Sequence, residues 1–149
     1  MKKLVQMAAA VASASISLMV PAHASEVSVE LLNKAGERRF VFSPELLRIN
    51  PGDTVVFVPT DKGHNTVSID GMLPEGAERI NIGFNKEGAV TLNRPGIYGI
   101  ECTPHAGLGM VGLIVVGDPG SSDAARRAAT KLPPKARERI DALLDQAES

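Results

Sequence analysis

Apolar residues recur at every second position in short runs, and each run stops at a turn residue. Val27, Val29 and Leu31 alternate with Ser28 and Glu30. Phe40-Val41-Phe42 precedes Pro44, and Leu46, Leu47 and Ile49 lead into Asn50-Pro51-Gly52-Asp53. Period two puts successive side chains on opposite faces of an extended strand, while Asn, Pro, Gly and Asp supply the backbone angles that reverse a chain. The same reading gives a central, β-branched strand from Thr54 to Val58 and further strands over Thr66–Ile69, Ala89–Leu92, Ile97–Ile100 and Met110–Val116, with Asn93-Arg94-Pro95-Gly96 as a turn. Many short strands so punctuated predict an all-β sandwich or barrel. Leu73 to Lys86 has no clean period and reads as a long surface excursion with room for a helical turn.

Both ends of the chain depart from this pattern. Pro119-Gly120-Ser121-Ser122 breaks it, and Ser122 is placed to cap a short helix through Thr130. After Pro133-Pro134, Ala136, Ile140, Leu143, Leu144 and Ala147 recur at helical spacing. One apolar helical face of this kind must dock, so the tail 122–149 belongs to the β domain. At the start, Lys2 and Lys3 precede a largely apolar run from Leu4 to Val20 and the small-residue pattern Ala22-His23-Ala24. This reads as a secretory leader over 1–24 rather than an anchor, because Ser13, Ser15 and Ser17 dilute the run. The domain is then 25–149. Its 14 basic and 17 acidic residues leave a net charge of −3, which argues against nucleic acid as a partner. Its only histidines are His64 and His105, its only methionines Met72 and Met110, and its only cysteine Cys102.

A single cysteine in an exported chain cannot form an internal disulfide, so it is either buried and inert or held by something. Its neighbours are His105, three residues on, and Met110, five further. A thiolate, an imidazole and a thioether suit copper better than zinc or magnesium, and a trigonal Cys-His-His set with a long axial Met is the blue-copper electron-transfer arrangement. The second imidazole would be His64. The alternatives are a protease dyad, which lacks a nucleophile signature, a covalent haem, which needs an absent C-x-x-C-H, and a structural zinc, which would leave the methionine unused. Each residue alone also reads as a core filler or an ordinary loop residue.

Asn50-Pro51-Gly52-Asp53-Thr54-Val55, Pro59-Thr60-Asp61-Lys62-Gly63-His64-Asn65, Pro95-Gly96-Ile97-Tyr98-Gly99, and Cys102-Thr103-Pro104-His105 with Gly109-Met110-Val111-Gly112 resemble the pseudoazurins, periplasmic blue-copper proteins of the cupredoxin family. The likeness spans essentially the whole chain after the leader. C-x2-H-x4-M alone is shared with plastocyanins. The tail and the Thr60–Asn65 stretch set the pseudoazurins apart. The resemblance implies an eight-stranded Greek-key β-sandwich with two C-terminal α-helices. It implies one copper ion per chain, held by His64, Cys102, His105 and Met110, in an electron carrier that is not an enzyme. It implies transient redox partners in the periplasm, such as a copper nitrite reductase or another reductase or dehydrogenase. A monomer is expected, with no membrane association once the leader is gone.

Around the ligands, Asn65 is placed to hydrogen-bond across to the Cys102 loop, and Thr103 and Pro104 flank the sulfur. Pro104 has no N–H and cannot donate to the thiolate. Ala106, Gly107 and Leu108 form an uncharged contact patch beside His105, with Lys62 and Lys34 at its rim. Glu101 stands where the family often has lysine, and the loop reads His105-Ala106-Gly107-Leu108 where an aromatic or methionine is often found. A copper-delivery module is the alternative function. It would need exposed, Met-rich, exchangeable ligands.

Overall fold

A computed structural model describes residues 24–149 of the chain, so the leader read over 1–24 lies outside the described residues except for Ala24. Nine strands follow in order: β1 (Glu26–Ala35), β2 (Arg38–Ser43), β3 (Leu46–Ile49), β4 (Asp53–Val58), β5 (Thr66–Ser68), β6 (Asn81–Ile82), β7 (Gly88–Leu92), β8 (Gly96–Glu101) and β9 (Val111–Val116). They form two sheets, ordered β2-β1-β4-β7 and β3-β9-β8-β5-β6. The eight runs read from the sequence are all present. The ninth strand, β6, lies in the segment read as an excursion. It forms because Ile80 is buried and its N–H meets the Ser68 hydroxyl at 2.8 Å. That segment contains no helical turn.

The alternation works as read. In β4 the residues facing inward are Asp53, Val55 and Phe57, each buried, while Thr54, Val56 and Val58 are half-buried. The inner faces of the two sheets enclose Leu31, Phe42, Phe57, Tyr98, Ile100 and Ile114, and Cys102 and Met110 belong to the same core. β9 is buried throughout, because its other face is covered by the tail. Asp53 is one of the buried polar residues. Its carboxylate accepts from the N–H of Ser25 at 2.8 Å and of Asn50 at 2.8 Å, which holds its carboxyl below the ordinary carboxylate value.

The tail forms α1 (Asp123–Ala129) and α2 (Pro134–Glu148). Ala136, Ile140, Leu143 and Leu144 of α2 pack with Val111, Leu113 and Val115 of β9 and with Ala125, Ala128 and Ala129 of α1. Pro134 opens α2, where its missing N–H costs nothing. Ser122 sits at the start of α1 without capping it. Its hydroxyl is taken by Glu148 and Arg126, so it ties α1 to the end of α2. Among the described residues no helix is long and apolar enough to cross a membrane.

Candidate metal centre

One loop brings three of the four proposed donors together. β8 ends at Glu101, and the chain from Cys102 to Met110 closes on itself through backbone hydrogen bonds. Cys102 N–H donates to the Met110 carbonyl at 3.0 Å, and Met110 N–H donates to the His105 carbonyl at 3.0 Å. Between them, His105 N–H donates to the Cys102 carbonyl at 3.0 Å and Gly109 N–H to the Ala106 carbonyl at 2.8 Å. Ala106–Leu108 is a 3₁₀ turn that ends at Gly109, whose φ of 92° is left-handed, a conformation that favours glycine. The fourth donor arrives on the neighbouring strand. Val67 lies opposite Glu101 in the β5–β8 pairing, so the residues just before β5 stand beside Cys102.

His64 Nδ1 lies 3.7 Å from the Cys102 sulfur and His105 Nδ1 lies 3.5 Å from it. All three donor atoms are within 4.8 Å of one another. Three donors set trigonally about one ion, at bond lengths of about 2.0–2.3 Å, stand about 3.5–4 Å apart, so the spacing fits a single metal. Protonation points the same way. His64 Nε2 is 3.0 Å from Asn33 Oδ1. The Asn33 oxygen can only accept, so Nε2 carries the proton and the Nδ1 lone pair faces the sulfur. Burial first, then His105, pushes His64 below the ordinary histidine value, with Asp61 opposing. Burial also lowers His105. The His64 Nδ1 lone pair and the His105 Nδ1 therefore converge on one thiol, an arrangement in which a cation would satisfy all three donors. Burial pushes the Cys102 thiol up, although the backbone N–H groups of Asn65 and His105 favour its thiolate. A bound cation would supply the charge that displaces the proton. Met110 is wholly buried in the same core as Cys102, and its thioether would add a soft donor to the set.

Residues 29–117 match the model of the copper-binding proteins of the plastocyanin/azurin family. Relatives include a pseudoazurin of Paracoccus pantotrophus, 48% identical over 93% of this chain and 94% of its own length, and one of Methylorubrum extorquens, 45% identical over 74% of this chain and 75% of its own. The chain belongs to the pseudoazurins. A solved pseudoazurin from Sinorhizobium superposes with a TM-score of 0.79 at 44% identity, covering 84% of this chain and 98% of that one. The fold is thus the cupredoxin sandwich with two C-terminal helices. The cofactor of this pseudoazurin is copper, and the protein is a blue-copper electron carrier serving redox partners, not an enzyme.

Within the pseudoazurin framework, Asn65 joins the two donor segments. Its Nδ2 donates to Thr103 Oγ1 at 3.0 Å, and its Oδ1 accepts from Thr103 N–H at 2.8 Å. Thr103 and Pro104 are exposed at the surface, as are Gly107, Leu108, Lys34 and Lys62. Ala106 is not: it is 8% exposed, because the 3₁₀ turn points its methyl inward, so it backs the patch instead of lining it. Leu108 is 49% exposed and Phe84 is 53% exposed. Phe84 flanks the His64 side, where Asn85 bonds the backbone of Gly63 and His64.

Several residues at this end carry no signal in the sequence. Asn33 fixes the His64 tautomer from the end of β1. Phe40 lies flat on His105, with ring centroids 4.1 Å apart and planes 6° apart. Its φ of 53° is a conformation bulky residues avoid. The Arg39 guanidinium covers Phe40 at 5.3 Å. A groove beside Leu108 is lined by Arg39 and Lys135, by Arg38 and Arg139, which both pair with Glu45, and by Glu37 and Glu138, so Arg39 and Lys135 join Lys34 and Lys62 as cations at this end. A helical or β period marks burial, and these residues meet the site only through tertiary folding.

Proposed function

We propose that His64, Cys102, His105 and Met110 hold the copper ion of a periplasmic carrier that passes single electrons to a copper nitrite reductase or a similar respiratory enzyme. The observation that carries this reading is the convergence of two imidazoles and one thiol within 4.8 Å in the core that also holds a fully buried methionine. The bound ion supplies a one-electron couple between copper(I) and copper(II), and the mixed soft and nitrogen donors suit both states. Everything else falls to the protein. Asn33 and the loop hydrogen bonds orient the donor atoms, and the sandwich core excludes water from Cys102, His64 and Met110, each 0% exposed. His105 alone among the four is only half-buried, so its ring edge is the natural route to a partner. Leu108 and Gly107 beside it make an uncharged contact that is cheaply desolvated, and Lys34, Lys62, Arg39 and Lys135 steer an acidic partner from the rim.

Burial of three of the four donors disfavours the copper-delivery alternative, which needs ligands that another protein can reach. We read residues 1–24 as the leader that takes the chain to the periplasm, and the carrier as a monomer that meets its partners briefly. The test is the visible spectrum of the copper(II) protein. Wild type should be intensely coloured by thiolate-to-copper charge transfer, and Cys102→Ser should be colourless. A coloured Cys102→Ser protein would sink the ligand assignment.

A further inference from the structure

The peptide group that joins Gly109 to Met110 is held at both ends. Its N–H, on Met110, donates to the His105 carbonyl at 3.0 Å. Its oxygen, on Gly109, accepts from Arg139 Nη1 at 2.6 Å and from the Val111 N–H at 3.0 Å, of which the charged donor is the shorter and stronger. The first bond is internal to the metal loop. The second comes from α2, 30 residues further along the chain. A peptide is planar, so fixing both its ends fixes the plane and the place of the Met110 Cα, and the Cys102 N–H on the Met110 carbonyl holds the other side of that residue. The guanidinium is itself anchored. Its Nη1 lies 3.3 Å from Glu45 Oε1, and the two side chains are 17% and 13% exposed. The pair attracts through charge, with no aligned hydrogen bond to that carboxylate oxygen. Arg38 closes on the same carboxylate from β2. The helix also lies close against the loop: a Cβ on Gly109 would stand 3.4 Å from the Lys135 carbonyl, in ordinary contact.

Among donors of this type the thioether is the weak, long one. Its distance is therefore set less by its own bond than by where the protein holds it. We propose that Arg139 is a positioning residue for Met110: by clamping the Gly109 carbonyl from α2, with Glu45 as its anchor, it sets how closely the axial thioether approaches the copper. The clamp links the helical tail to the electronic character of the site. It rests on the reading that Met110 is a copper ligand.

The test compares Arg139→Ala and Arg139→Lys with wild type in two arms. In the copper-loaded proteins, Arg139→Ala should change the balance between the two sulfur-to-copper absorption bands and raise the reduction potential, because a slackened axial ligand favours copper(I). Arg139→Lys, which keeps a charged donor, should restore part of both. In the copper-free proteins, amide exchange of Met110 should speed up by about tenfold or more in Arg139→Ala as its local bond opens, with amides in the centre of β9 unchanged. An Arg139→Ala protein with wild-type bands, potential and Met110 exchange would overturn the proposal. So would exchange that accelerates equally everywhere, which marks a merely structural role. A wild-type protein without a thiolate band would overturn the ligand reading instead, and the exchange arm would still decide the clamp.

Discussion

Asn65→Ala removes the whole side-chain link between the two donor segments. Two hydrogen bonds go, at 3.0 Å and 2.8 Å, each worth about 1 kcal/mol net. Thr103 is exposed, so water recovers part of what its N–H loses, and the total should be about 2 kcal/mol. For a domain of this size that lowers Tm by about 6 °C. Thr103→Ala is the internal comparison. It deletes only the hydroxyl and leaves the Thr103 N–H on Asn65 Oδ1, so it should cost about half as much. The double variant should cost no more than Asn65→Ala alone, because the hydroxyl has no partner once Asn65 is gone. Denaturant unfolding of the copper-free proteins at neutral pH measures all three without metal linkage. Equal costs for the two single variants, or simple additivity in the double, would refute the bridge as drawn.

Pro104→Ala adds an N–H near a sulfur already faced by those of Asn65 and His105; a third donor should draw charge from the thiolate and raise the reduction potential in voltammetry, and an unchanged or lower potential would count against it. The Asp53 carboxyl titrates below its ordinary value because of the Ser25 and Asn50 donors. Its stabilisation is therefore complete above the unfolded carboxyl value and lost as pH falls through the depressed one, below about pH 4. Asp53→Asn should weaken the fold at neutral pH and flatten the acid limb of a thermal-melt series. Leu108→Glu should slow electron transfer to a copper nitrite reductase at every salt concentration in stopped flow, and Lys62→Glu only at low ionic strength. A neutral Leu108→Glu, with substitutions at the far end of the sandwich slowing transfer, would place docking elsewhere.

The alternation in β1 and β4 and the helical spacing from Ala136 to Ala147 were readable because burial repeats with the period of the element. β6 was not, since a two-residue strand has no period and is recruited by one buried isoleucine. The cap at Ser122 failed for a related reason: residue type marks a local preference, and a distant partner, Glu148, outcompeted it. The close spacing of Cys102, His105 and Met110, with so few other histidines and methionines in the chain, pointed to the place where the fold gathers His64, Cys102 and His105. Asn33, Phe40 and Arg139 stayed hidden, because each reaches the site from an element remote in sequence. Ala106 was misplaced because a loop residue's direction depends on the turn it enters, here a 3₁₀ turn.

The bonds that close the loop from Cys102 to Met110 run from backbone to backbone. None of them depends on a side chain whose charge would follow the charge at the centre. With copper held by these donors, an electron arriving or leaving would meet a loop frame whose bonds do not follow its charge. Little of the protein would then have to reorganise, and the speed of a transfer would turn on how often the proposed His105 face meets a partner, and for how long.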